Sequence, residues 1–114
     1  MDYKKLNKIL SDCADVKVEK IQNATIEVNN FPFIRLRNIF IENGTIHQED
    51  IQNNVYVAVV KGGLGNRNPA WVAAYCGSES VLLAVYSREG LINQHTSDTV
   101  IKKIRSEVIK AAEK

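Results

Sequence analysis

The segment from Lys61 to Trp71, KGGLGNRNPAW, holds the residue types best suited to binding a ligand. Three glycines lie within four residues, and Arg67 follows them between two asparagines. A glycine-rich loop after a strand binds phosphate when a helix follows, because the helix N-terminus presents amides and a positive dipole end. Here the next residues, AWVAAYC, are typical of a strand, and neither GxxxxGK followed by Ser or Thr nor GxGxxG occurs.

The loop 62–69 is instead predicted to join two strands of a hairpin. It is either only a connection or a recognition loop in which Arg67 contacts an anionic group or a protein partner. Trp71 stands where the loop enters the next strand. It is either a core aromatic or an interface anchor, since tryptophan is enriched among the residues that dominate binding energy. The candidate binding residues of this region are Asn66, Arg67, Asn68 and Trp71.

Two arginines, Arg35 and Arg37, form a second candidate surface. The segment FPFIRLRNIFIENG predicts a strand that begins after Pro32 and places both arginines on one face, because side chains alternate along a strand. The parity of the apolar residues changes at Asn38, which predicts a β-bulge there. The arginine face is either simply solvated or a surface for nucleic acid, with a neighbouring phenylalanine stacking on a base.

The histidines and cysteines predict neither a metal site nor a nucleophile. His47, His95, Cys13 and Cys76 are the only residues of these types, and none stands at metal-ligand spacing or in a CxxC pair. Catalysis by Cys76 would need a histidine and an orienting group nearby. We expect two free thiols, no metal and no cofactor.

Two amphipathic helices are predicted, one at each end of the chain. Residues 2–14 place apolar side chains at steps of three and four, with Asp2 as a cap for the first turn. A second apolar stripe of this kind begins after Thr96 or Ser97, either of which could cap the helix, and it runs to Ala112.

Between the helices the apolar pattern predicts strands. Short alternating runs occur at 16–19 and 25–28, and Asn43-Gly44 predicts a hairpin turn. The segments 55–60, 70–76 and 80–87 are apolar at odd and even positions alike, so both faces of the sheet centre must be covered. We expect both helices on one face and a homodimer mate or a partner chain over part of the other.

Length and composition fit a single domain, residues 1–114. Apolar residues make up 45% of the chain and the net charge is +2, which excludes a disordered chain and does not favour a dedicated nucleic-acid binder. The apolar residues near the N-terminus are spaced rather than continuous, so we expect no signal peptide and a cytoplasmic protein.

The sequence therefore predicts an α+β fold, with an antiparallel sheet of five or six strands and an N-terminal and a C-terminal helix. The expected function is a small, non-catalytic, cytosolic protein-binding domain. Its size and its order of helix, strands and helix resemble those of some bacterial immunity and antitoxin proteins, and this resemblance implies a toxin as the protein partner. Two alternatives stay open: nucleic-acid binding through the arginine strand, and a small enzyme or ligand-binding domain with its site under loop 62–69.

Overall fold

Five antiparallel strands form one sheet at the centre of the computed structural model, which describes residues 1–62, 68–88 and 95–113. The strands are β1 (Gln22–Glu27), β2 (Gly44–Asp50), β3 (Val55–Lys61), β4 (Pro69–Cys76) and β5 (Ser80–Ser87). Their order across the sheet is β1-β5-β4-β3-β2. Strands β2 to β5 are consecutive neighbours, whereas β1 pairs with the last strand. The α+β class and the antiparallel sheet are as the sequence predicts.

Three α-helices accompany the sheet within the described residues: α1 (Tyr3–Cys13), α2 (Phe33–Asn43) and α3 (Thr96–Ala112). The cap that the sequence predicts for α1 is present, because the Asp2 carboxylate accepts a hydrogen bond from the Lys5 amide at 2.8 Å. Helix α3 differs slightly from its prediction. His95 occupies its N-cap position, and Thr96 and Ser97 are buried in the first turn.

The chain's own helices cover the sheet on both faces. Helix α1 packs Leu6 and Leu10 onto one face. Helices α2 and α3 pack on the opposite face, where Phe40 and Ile104 are fully buried. The two terminal helices thus lie on opposite faces of the sheet. Our expectation that both would lie on one face is wrong. The central strands are apolar on both sides because each side meets a helix, so the second face needs no partner chain to cover it.

The segment that the sequence predicts as an arginine-bearing strand is helix α2. Its buried residues Leu36, Ile39 and Phe40 fall at steps of three and one, which fit one face of a helix. Pro32 precedes the helix with φ −64°, and a proline is tolerated there because the first amides have no partner within a helix. Asn38 lies inside the helix, so the predicted β-bulge at this residue is wrong.

Asn43-Gly44 is a junction between a helix and a strand rather than a hairpin turn. Helix α2 ends at Asn43 and β2 begins at Gly44. A Cβ atom on Gly44 would lie 1.9 Å from the Val59 carbonyl oxygen, closer than any side chain can approach backbone. Glycine is therefore required here because the β3 backbone passes against it.

One further strand prediction needs correction. The segment 16–19 is not a strand, since a 3-10 turn spans Val18–Lys20 and β1 begins only at Gln22. The sheet does contain an irregularity, but it lies in β2, where the register with β3 shifts between Ile46 and Gln48. Such a bulge is common in an edge strand, which β2 is.

Candidate functional site

The structure describes the glycine-rich loop 62–69 only at its two ends. Asn66 and Arg67 lie outside the described residues, so their role stays a prediction. Asn68 is half-buried and precedes β4. Trp71 lies on β4, half-buried on the α1 face, and its ring meets the His47 ring edge-on with centroids 5.1 Å apart. This contact links Trp71 to the edge strand β2.

Arg35 and Arg37 lie on α2, where both side chains bond to neighbouring elements. The Arg35 guanidinium donates a hydrogen bond to the Ala111 carbonyl at 2.9 Å, near the C-terminal end of α3, where a positive charge is favourable. Arg37 Nε lies 3.2 Å from a Glu49 carboxylate oxygen on β2. The two arginines therefore join α2 to its neighbours on either side. The strand face on which the nucleic-acid alternative depends is not formed.

Tyr56 anchors α2 to the sheet from below. It is fully buried, its hydroxyl donates to the Phe33 carbonyl at 3.0 Å, and its ring stacks on the Phe33 ring with centroids 4.0 Å apart. Burial first, and then the negative charge of Glu49, raise the pKa of Tyr56 above its ordinary value. The hydroxyl therefore stays protonated and remains a hydrogen-bond donor across the neutral range.

Both cysteines are free thiols, as the sequence predicts. Cys13 belongs to the cluster on the α1 face and donates to the Gln48 side chain at 3.0 Å, whereas Cys76 belongs to the opposite cluster and donates to the Phe31 carbonyl at 2.8 Å. Burial raises the pKa of each thiol above its ordinary value. Since the thiolate is the reactive form, this environment suits packing and does not activate either sulfur.

Helix α2 exposes two large apolar side chains that sequence reasoning did not single out. Ile34 and Ile41 are 61% and 48% exposed. With the exposed Asn38 between them they stand at steps of four and three, so the three residues share one face, which we call the outer face of α2. The signal lay in the sequence FPFIRLRNIFIEN, whose apolar residues exceed those that one helix face can bury. Interpreting the segment as a strand concealed it.

Helix α2 lies beside the edge strand β2. Helix α2 packs against β2 and β3, and Arg37 connects it to Glu49. Among the described strands β2 pairs only with β3, so the other edge of its backbone has no strand beside it. We call the outer face of α2 together with Glu49 and the open backbone edge of β2 the α2–β2 flank. It combines apolar side chains, charged side chains and strand backbone at one side of the molecule.

Comparisons with protein-family models, with curated proteins and with solved structures found no match. Across the described ranges 1–62, 68–88 and 95–113, no three His, Cys, Asp or Glu side chains are grouped so that they could hold a metal ion. Within the same ranges, no helix has both the length and the apolar character that crossing a membrane requires. The α2–β2 flank is thus defined by its own geometry alone.

Proposed function

We propose that this chain is a small, non-catalytic protein-binding domain that contacts its partner through the α2–β2 flank. The observation that supports the proposal is the exposure of Ile34 and Ile41 on the outer face of α2. A helix on a domain surface ordinarily directs its apolar side chains to the core and its polar ones to water. Helix α2 has such a core face in Leu36, Ile39 and Phe40, and the outer isoleucines are not among its buried residues.

The surroundings of the isoleucines suit a protein partner. Protein interfaces combine an apolar centre with a polar rim. On this flank Ile34 and Ile41 supply the centre, and Asn38, Arg37 and Glu49 supply polar groups around it. The open edge of β2 adds backbone donors and acceptors that an extended partner segment can pair with.

Site-specific photo-crosslinking in cells of the organism that encodes the protein tests the proposal. A photoreactive phenylalanine analogue replaces Ile34 in one variant, Ile41 in a second and Ile51 in a third. Ile51 is the matched control, because it is an isoleucine, 69% exposed, in the turn between β2 and β3. We expect positions 34 and 41 to crosslink to the same protein and position 51 not to. Equal crosslinking from all three positions, or none from 34 and 41, would contradict the proposal.

A second copy of the chain is the simplest alternative partner, and sedimentation velocity identifies it. A homodimer formed through this flank would dissociate when Ile34 and Ile41 are both changed to Glu, because two charges would be buried in an apolar contact. The corresponding change Ile51→Glu should leave the sedimentation coefficient as it is. A concentration-independent monomer for the unmodified chain would direct the search to a different protein.

Neutralisation of a toxin in the cytoplasm is the most specific form of this proposal. The small size of the chain and its two free thiols, Cys13 and Cys76, are compatible with it. Helix α2 interrupts the helix–strands–helix order on which the resemblance to immunity proteins depends. Co-expression with a toxin candidate encoded beside the gene tests this form. The unmodified chain should restore growth, and the Ile34→Glu/Ile41→Glu double variant should not.

A further inference from the structure

A cavity of about 620 Å³ opens where β1 begins and β5 ends, at the sheet edge opposite the α2–β2 flank. The 3-10 turn at Val18–Lys20, the starts of β1 and α3, and the end of β5 contribute to its walls. Its volume falls within the range of pockets that bind small molecules, and it is larger than a single inorganic ion needs.

Positive charge dominates the described wall of this cavity. Lys17, Lys20 and Arg88 line it together with one carboxylate, Glu19, so two permanent positive charges are in excess. None of the three cations forms a salt bridge with another described residue. His95 also lines the cavity, with Nδ1 3.8 Å from an Asp98 carboxylate oxygen. Cations gathered in one concave site repel each other, and an anion bound between them relieves that repulsion.

The N-terminal end of α3 adds to the positive electrostatic potential of the cavity. Helix α3 is 17 residues long, and its N-terminal end, where amides point outward, lies at the cavity wall with Ser97. The Ser97 hydroxyl donates to the Ser87 hydroxyl at 3.2 Å, and both serines line the cavity. The helix end alone would not define a site, but here it reinforces a basic cavity formed by three other elements.

We propose that this cavity binds a small organic phosphate, with Lys17, Lys20 and Arg88 holding the phosphate group. A phosphate monoester carries roughly −1.5 to −2 charges at neutral pH and three acceptor oxygens, which matches the two excess positive charges better than a single carboxylate does. An arginine guanidinium binds two phosphate oxygens at once. Ile21 and Tyr86 give the cavity an apolar part of its wall, against which the organic portion of the ligand packs.

Calorimetric titration of the full chain at low ionic strength tests the proposal with four probes. Adenosine monophosphate and ribose 5-phosphate represent the organic phosphates, and inorganic phosphate and adenosine each lack one part of them. We expect saturable binding of at least one organic phosphate, weaker binding of inorganic phosphate and none of adenosine. Absence of saturable binding of both organic phosphates at about 1 mM would overturn the proposal. Equal affinity for inorganic phosphate would overturn its organic part.

Charge-reversal variants locate the binding. Lys20→Glu and Arg88→Glu should each weaken the affinity for the organic phosphate by about tenfold or more, since each removes a charged hydrogen bond. Lys4→Glu is the matched control, because Lys4 is an exposed lysine on α1 away from the cavity, and it should leave the affinity unchanged. Equal losses in all three variants would show nonspecific charge attraction and overturn the site.

Two controls distinguish a loss of phosphate binding from unfolding and from a change at the α2–β2 flank. Lys20→Gln and Arg88→Gln neutralise the charge without reversing it, and variants of both kinds should keep the thermal midpoint of the unmodified chain. The Ile34→Glu/Ile41→Glu variant should bind the phosphate probe normally, because its substitutions lie at the opposite sheet edge. Loss of phosphate binding in that variant would contradict the placement of the site.

Discussion

Helices α1 and α2 have the same length, 11 residues each, and both pack on the sheet, yet they present different side chains to water. Helix α1 buries Leu6 and Leu10 and exposes lysines and Asp12 on its outer side. Helix α2 buries a comparable face but exposes Ile34 and Ile41. Both inner faces pack on the sheet, so the difference between the two helices lies in their outer faces. The proposed binding role of α2 depends on this apolar outer face, which α1 lacks.

The inner faces of the two helices should show the largest effects on stability. Leu10→Ala should lower the free energy of unfolding by about 2–5 kcal/mol and Phe40→Ala by about 3–5 kcal/mol, because each leaves a cavity in a packed cluster. Both side chains are fully buried. Urea denaturation followed by circular dichroism measures the loss. A cost below about 1 kcal/mol for Phe40→Ala would mean that α2 is not packed on the sheet as described.

The residues that follow the two helices, Gly44 and Ala14, should differ in how much stability an exchange between glycine and alanine costs. Gly44→Ala should destabilise the protein by about 1–3 kcal/mol, because the new methyl group displaces the β3 backbone at Val59. The residue that follows α1 is Ala14, which already carries a Cβ, and Ala14→Gly should cost less. Urea denaturation midpoints of the two variants measure the two losses of stability. Unchanged stability in Gly44→Ala would indicate that β2 can move away from β3 at this point.

The tyrosine beneath α2 should make stability depend on pH in the alkaline range. The pKa of Tyr56 is raised in the folded protein above the ordinary tyrosine value, so the folded state holds the proton more firmly than the unfolded chain does. The resulting stabilisation is fully present below the unfolded pKa and is lost as the pH rises beyond it. Tyr56→Phe should remove this part of the alkaline decline and cost about 1 kcal/mol at neutral pH, since the Phe33 carbonyl loses its donor.

Urea midpoints measured from neutral pH to about pH 11, above the ordinary tyrosine pKa, test this dependence. Tyr3→Phe provides the control, because Tyr3 is an exposed tyrosine whose hydroxyl contacts Thr25 on β1. An alkaline decline in Tyr56→Phe as steep as in the unmodified chain would show that other groups cause it.

The outer faces should show the smallest effects on stability and the sharpest difference in binding. Ile34→Ser and Lys4→Ser should each change the free energy of unfolding by less than about 0.5 kcal/mol, because both side chains point into water. Only Ile34→Ser should weaken the interaction with the crosslinked partner, as measured by calorimetry. A large loss of stability in Ile34→Ser would make this isoleucine part of the core and would remove the distinction between α1 and α2.

The parts of the fold that follow from the sequence are those with one dominant pattern. Strands β3, β4 and β5 are found within one residue of the predicted segments 55–60, 70–76 and 80–87, because continuous apolar runs between turn residues fit little else. Helix α1 is recognised because its apolar residues keep to one side. Helix α2 is missed because Ile34 and Ile41 extend the apolar pattern around the helix, so that period two and period 3.6 both fit.

The candidate sites were harder to predict than the elements. Of the predicted binding residues, the structure places Trp71 beside β2, and it places Arg35 and Arg37 in contacts that hold α2. The basic cavity could not be found from spacing, since Lys17 and Lys20 precede β1 and Arg88 follows β5. Only the pairing of the first strand with the last brings them together, and this pairing is a property of the assembled sheet.

That same pairing has a consequence for how the chain folds. Strands β2 to β5 form a meander whose neighbours are adjacent in sequence, so their turns close quickly, whereas joining β1 to β5 bridges residues about 60 positions apart, as between Asn23 and Leu83. Long loops close more slowly and raise the contact order. During synthesis from the N-terminus, β1 leaves the ribosome long before β5 exists. We therefore expect the docking of β1, and with it the completion of the basic cavity, to be a late step in folding.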